Sequence, residues 1–271
     1  MFYREIEPAA VLRGHVTCFW VLDQAPDPDP VPEKILPDGR AELIFNLGAP
    51  YLRVEEDGTR GQPRSFVVGQ IRRYLEIVPA GHVSMIGVRF QPTALHRLIG
   101  NSMSELTDRT VPVADLGTPG LLELEARLHD APDWPTRVLL VEEELLRMLP
   151  RNVGLVSEAL DLIRRTHGRL DLGRVSQEVG MSARTLDRRF SAEVGLTPKL
   201  FSRQVRLQRV FELLSRSPRP SWSEIALASG CFDQAHLNRE FRTFAGETPA
   251  AFLRSRHQLS DHLTGLAHDQ P

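Results

Sequence analysis

Two hydrophobic rhythms divide the chain. In its first half, short apolar or alternating runs are broken at close intervals by Gly, Pro and Asp; in its second, apolar residues recur three and four positions apart. Residues 16–22 (VTCFWVL) open the first half as an apolar and aromatic run, and the prolines of the following QAPDPDPVPEK mark a loop. Pro37-Asp38-Gly39 predicts a turn before a strand over 42–47, and further strands are predicted over 65–69, 74–78 and 83–90. Short strands at this spacing predict a small antiparallel sandwich or barrel. Helical spacing follows over 92–99, 121–128 and 135–149. In the last of these Val138, Val141, Leu145, Leu146 and Leu149 form one stripe, with Glu142, Glu143 and Glu144 on the wet side. That helix can seal its own domain or pair with a second subunit.

The second half contains an internal repeat. Leu186, Arg188, Phe190, Gly195, Thr197, Pro198 and Phe201 recur as Leu237, Arg239, Phe241, Gly246, Thr248, Pro249 and Phe252 at an offset of 51, and Val175 and Gly180 recur as Ile225 and Gly230 at an offset of 50. Each position has a mechanical reason. The Leu and Phe are four apart and share a helix face. The glycines after each helix suit a left-handed ending. Thr-Pro reads as a cap with proline at the first helical position. Ser182 and Asp233 can cap the helices carrying the Leu-x-Arg-x-Phe pattern, and Ser221 with Glu224 fits a capping box. Each copy therefore predicts a helix-turn-helix, over 172–180 with 183–194 and over 222–229 with 234–245. A connecting helix over 198–214 would span roughly 25 Å at 1.5 Å per residue. Successive major-groove faces are ~34 Å apart, so one chain could reach two of them.

Charge sharpens the division. The chain of 271 residues has a net charge of −2, yet residues 1–150 hold 15 basic and 22 acidic side chains while residues 151–271 hold 18 and 13. A basic module meeting a polyanion, joined to one that does not, accounts for that split. No window approaches ~18 consecutive apolar residues, and the opening MFYREIEPAAVLRG lacks a basic stretch followed by an apolar one. The expectation is a cytoplasmic protein with no membrane partner. Two distant cysteines, Cys18 and Cys231, exclude a disulfide framework or a paired-cysteine zinc site, and no metal or other cofactor is expected.

Residues 153–256 resemble the AraC/XylS family of bacterial transcription regulators, most specifically through Gly230-Cys-Phe-Asp233-Gln234-Ala-His-Leu237-x-Arg239-x-Phe241 followed by Gly246-x-Thr248-Pro249. Cys231 departs from the aromatic residue usual there, and Ser176 from a small alanine. The segments Cys18-x-Trp20 and Leu36-Pro-Asp-Gly39 are similar to an uncharacterised group of N-terminal regions attached to such domains. The resemblance implies an α+β chain: a small antiparallel β domain with trailing helices over 1–150, for sensing or dimerisation, then an all-α DNA-binding domain over 151–257 with two helix-turn-helix units joined by a linker helix. The boundary is placed at Pro150-Arg151-Asn152, and 258–271 is expected to be a disordered tail.

With Leu186 and Phe190 inward, Arg184, Thr185, Asp187 and Arg188 are left outward, and the resemblance assigns base contacts to Arg184, Asp187 and Arg188. Arginine bonds guanine bidentately and Asp187 can accept from cytosine, although Arg184 and Asp187 could equally pair along the helix. The matching positions of the second unit are Gln234, Ala235, Asn238 and Arg239, with Arg242 a candidate for phosphate or for an internal ion pair. Arg189, Arg203 and Arg206 are open to the same two readings, and His236 reads as a structural hydrogen-bonding residue.

An enzyme is not expected. His15 and Cys18 fall on opposite faces of a strand, and no Gly-x-Ser-x-Gly elbow, phosphate loop or His-Glu-x-x-His motif occurs. Some relatives carry DNA-repair activity on a cysteine-bound metal, which two cysteines do not supply. The resulting expectation is a sequence-specific regulator of promoter DNA, with RNA polymerase, a small-molecule effector and a second copy of the chain as further partners. The alternative is a ligand-binding or protein-interaction module with only non-specific DNA binding. Phe19, Trp20, Phe45, Phe66 and Phe90 either line a ligand space or fill the core.

Overall fold

A computed structural model describes residues 1–148, 156–216, 221–255, 258–264 and 266. Ten strands precede the helical half: β1 (Phe2–Ile6), β2 (Val16–Gln24), β3 (Glu33–Ile35), β4 (Glu42–Asn46), β5 (Tyr51–Glu55), β6 (Gly58–Gly61), β7 (Ser65–Val68), β8 (Leu75–Pro79), β9 (Val83–Phe90) and β10 (Thr110–Pro112). They form two antiparallel sheets, ordered β1-β2-β9-β4-β7-β10 and β3-β8-β5-β6. Helices α1 (Ala94–Ile99), α2 (Pro119–Asp130) and α3 (Trp134–Met148) cover the outer face of the larger sheet.

Alternation explains why β2 is apolar throughout. Phe19 and Val21 join Leu43, Phe45, Ile86, Val88 and Phe90 in a core shared with α1 to α3, while Trp20 and Leu22 turn to the opposite side with Ile44, Phe66, Tyr51 and Ile77. A sheet packed on both faces has no wet side, and so its strands read as continuous apolar runs. Of the five aromatics, Phe19, Phe45 and Phe90 fill the helix-side core and Phe66 the space between the sheets, whereas Trp20 lines a cavity. Trp20 pairs across the ladder with Gly87, where an added Cβ would come within 2.1 Å of the indole Cε2.

The helical half comprises α4 (Ser157–Arg165), α5 (Leu172–Glu178), α6 (Ala183–Val194), α7 (Pro198–Ser215), α8 (Trp222–Ala228), α9 (Gln234–Ala245), α10 (Pro249–Phe252) and α11 (Gln258–Thr264). Two cores fill it, one around Phe190, Phe201 and Leu186, the other around Phe211, Phe241 and Phe252, and α7 contributes to both. The α+β class and the two-unit helical domain agree with the expectation.

Several particulars differ from it. β2 extends to Gln24 and β3 begins at Glu33, so ladder pairing orders both ends of the proline-rich segment. Glu144 is buried and paired with Arg147 at 2.7 Å, against the expected wet position, because α2 packs over it through Gly120. Val138, Val141 and Leu145 seal the domain's own core while Leu146 is exposed. The tail expected to be disordered contains α11, which docks against β3: the Leu259 amide donates to Glu33 and the Ser260 hydroxyl to the Lys34 carbonyl. The expected boundary at Pro150-Arg151-Asn152 and the stripe residue Leu149 lie outside the described residues.

Candidate nucleic-acid interface

In the first unit, the Asp171 side chain caps α5, Gly180 turns the chain at φ +64°, and the Ser182 hydroxyl accepts from the Thr185 amide to start α6. Leu186 and Phe190 are buried, which fixes the rotation of α6 about its axis. Arg184, Asp187 and Arg188 consequently stand exposed, and Thr185 is half-buried with its hydroxyl 2.9 Å from that of Ser182. Among the described residues, Arg184, Asp187 and Arg188 enter no ion pair, so the alternative of an Arg184–Asp187 pair along the helix is not realised.

The second unit repeats the construction. Ser221 caps α8, Gly230 turns at φ +87°, and Asp233 accepts from the His236 amide at 2.6 Å to start α9. With Leu237 and Phe241 inward, Gln234, Ala235, Arg239 and Arg242 are exposed and Asn238 is half-buried. His236 Nδ1 accepts from the Phe232 amide, and its ring stacks on that of Phe232 at 5.4 Å, a structural use of the histidine. Phe232 is 87% exposed beside the N-terminus of α9 and was not singled out from the sequence. Its signal was available, since an aromatic residue between Cys231 and the Asp233 cap has no inward position to take.

The arginines sort into two groups. Arg203 and Arg206 both face Glu240, at 3.0 and 3.7 Å, and Arg206 also donates to the Gly168 carbonyl. Arg169 donates to the carbonyls of Leu227 and Ala228 at the end of α8, tying the two units together. These three are committed to contacts within the domain, Arg169 from an exposed position. Arg184, Arg188, Arg239 and Arg242 have no ion pair among the described residues, and their full hydrogen-bonding capacity faces outward.

The C-terminal ends of both outward-facing helices are held by the β domain. Gly195 ends α6 at φ +90°, and its carbonyl accepts from the Thr107 hydroxyl at 2.6 Å. Gly246 ends α9 at φ +78° under the Tyr74 ring, where an added Cβ would come within 2.5 Å of the ring. The Tyr74 amide donates to the Phe244 carbonyl, and Lys34 pairs with Glu247 at 2.5 Å.

The candidate nucleophile and base of the first half are not brought together. His15 faces Arg97 at 3.2 Å, and burial, followed by that arginine, lowers its pKa. Cys18 lies 3.9 Å from Arg89, and burial pushes its thiol up to about 12. Among the described residues no group of three His, Cys, Asp or Glu side chains is placed to hold a metal ion, and no helix is long and apolar enough to cross a membrane.

Residues 4–112 match a family described as a domain of unknown function (DUF6597), and residues 175–255 match a family described as a helix-turn-helix domain. No curated protein matches the chain. Among solved structures, it is similar to a variant of apo ToxT from Vibrio cholerae at 12% identity, over 92% of this chain and 98% of that one, with a TM-score of 0.48. It is similar to ToxT from the same organism bound to an unsaturated fatty acid at 11% identity, over 86% and 93% of the two chains, with a TM-score of 0.46. A transcriptional regulator from Chromobacterium violaceum, described as containing an AraC-type DNA-binding domain, is similar at 22% identity over 42% of this chain and 95% of that one, with a TM-score of 0.32.

Proposed function

We propose that this chain, which carries a C-terminal helix-turn-helix domain of the AraC type, is a sequence-specific DNA-binding transcription regulator whose α6 and α9 enter successive major-groove faces of promoter DNA. Residues 151–257 form the DNA-binding domain in this reading, and residues 1–150 sense a small molecule or dimerise. The observation that carries it is the repeat itself. The same buried Leu/Phe pair rotates each helix so that arginines without ion pairs face outward from its N-terminal half.

Roles follow from side-chain chemistry. Arg184, Arg188 and Arg239 suit guanine, Asp187 cytosine, Gln234 and Asn238 adenine, and Ala235 a thymine methyl. Thr185, whose hydroxyl serves the cap, suits a phosphate contact, as does Arg242 on the last turn of α9. RNA polymerase is the partner through which a promoter-bound protein of this kind would act, in a cytoplasmic setting.

Selection of duplexes from a random library by the full-length chain at near-physiological salt tests this reading. Two short enriched blocks about one helical turn, ~10 bp, apart are expected. Affinity without an enriched motif would leave a module with only non-specific DNA binding and sink the regulator reading.

A further inference from the structure

Between the two sheets lies a cavity of about 110 Å³, the size range in which a single aromatic ring is accommodated by an apolar interior. Trp20, Leu22, Ile44, Ile77 and Met85 are among its apolar lining. Three lining residues carry a buried polar atom with no hydrogen-bond partner: Trp20 at Nε1 and Arg40 at Nε, both donors, and Gln62 at Oε1, an acceptor. Its charged lining residues are of both signs, and the most buried, Arg89, is already paired with Glu42 at 2.8 Å and Glu5 at 2.7 Å. A mostly apolar, uncharged molecule bearing a group that both donates and accepts fits this lining better than an ion does.

One part of the wall comes from the far end of the chain. Leu259, Leu263 and Thr264 of α11 line the cavity, with Gln208 of α7 beside them, although α11 follows the second helix-turn-helix unit in sequence. Among the described residues, this short helix is tied to the β domain by the Leu259 amide on Glu33, the Ser260 hydroxyl on the Lys34 carbonyl, the His262 ring 5.1 Å from that of Tyr3, and the packing of Leu259 and Leu263 on the inter-sheet core. Lys34 is a node. Its carbonyl holds α11, while its ammonium pairs with Glu247 and donates to the Ala245 carbonyl at 3.4 Å, at the last turn of α9. The adjoining Ile35 lines the cavity.

We propose that α11 is a displaceable cover of this cavity, and that a small, uncharged, mostly apolar molecule with a hydroxyl- or amide-like group takes the place of Leu259 and Leu263, loosening the Lys34 contact with the last turn of α9 in the same event. The inference deepens the sensing role assigned above to residues 1–150 and rests on the regulator reading only for its consequence at DNA. A molecule that must first displace a closed cover binds more weakly by the fraction of time the cover is open, so weakening the cover raises apparent affinity.

The test uses 2-naphthol as probe and naphthalene as its counterpart without the hydroxyl, with the full-length chain, calorimetry for affinity and hydrogen exchange for α11 and α9. Wild type is expected to bind 2-naphthol at one site, more tightly than naphthalene, with faster exchange in α11 and in the last turn of α9. Leu259→Ala with Leu263→Ala should raise 2-naphthol affinity about tenfold or more. Ser260→Ala, which removes a tether without touching the wall, should raise it in the same direction and guards against a double variant that fails to fold. Lys34→Met should keep the affinity and lose the response of α9.

Unchanged or weaker affinity in Ser260→Ala and in a folded double variant would make α11 a fixed wall and overturn the cover. Equal binding of naphthalene would overturn the polar anchor, binding without a response in α9 would overturn the coupling, and no binding by any variant would overturn the site. None of these readouts involves DNA, so loss of the regulator reading would be distinguishable from loss of the cover.

Discussion

Arg188 stands on the outer face of α6, exposed and without an ion pair among the described residues, so truncating it removes no contact on which the fold depends. Arg188→Ala is expected to leave unfolding stability within about 0.5 kcal/mol. It should cost ~1–3 kcal/mol of specific binding and relax one base position, as titrations on single-base variants of the selected site would show. Equal loss on every duplex would make Arg188 a phosphate contact. Arg203→Ala should behave oppositely, because Arg203 is half-buried against Glu240 and its loss strands that carboxylate. Denaturant unfolding should detect the change while base preference stays fixed; a changed preference with unchanged stability would count against this division of the arginines. The inward positions were legible because a Leu and a Phe four apart leave little choice of face, and the outward positions followed by elimination. Whether a given arginine faces solvent or Glu240 was not legible, since Glu240 stands 37 positions from Arg203 on a different helix. Glu144 misled for a related reason: its burial depends on Gly120 of α2, which nothing in the periodicity of α3 announces.

Caps account for how much of the helical half could be read at the level of elements. Ser182, Thr197, Ser221, Asp233 and Thr248 each accept from a backbone amide at the start of a helix, as their spacing predicted. Ser182→Ala and Asp233→Ala should each cost ~1 kcal/mol of stability, and calorimetric unfolding of the two single variants measures it. A loss well below that in either variant would mean the helix start is set by packing of Leu186 or Leu237 rather than by the cap. The strands were less legible. β3, β6 and β10 have three or four residues each, and β1, β3, β6 and β10 are edge strands. Their hydrophobic patterns are too short to register, and the pairing that defines them comes from distant segments, as when Glu33 meets Ile77. The same holds for α11, in which the pair Leu259 and Leu263 is too short a pattern to register and whose order comes from docking on β3.

At the scale of the whole molecule, the β domain reaches the C-terminal end of each proposed reading helix through a separate residue, Thr107 for α6 and Tyr74 for α9. None of this was visible beforehand, because the contacts join positions 88 and 211 apart in sequence, as with Thr107 to Gly195 and Lys34 to Ala245. Separate contacts of this kind should bias each helix separately, even though Arg169 and α7 join the two units, and that has a measurable consequence. Thr107→Val keeps the side-chain shape but removes the hydroxyl that donates to the Gly195 carbonyl, leaving that acceptor to find water. The loss of affinity should appear when the half-site read by α6 is intact and be the same whether or not the half-site read by α9 is substituted. Tyr74→Ala should show the reverse. Because the two contacts share no partner, their effects on binding should add within ~0.5 kcal/mol in the double variant. A coupling larger than that would mean that the β domain moves both helices as one body, in which case a signal arriving at residues 1–150 would weaken or strengthen both half-sites together rather than the reading of either one.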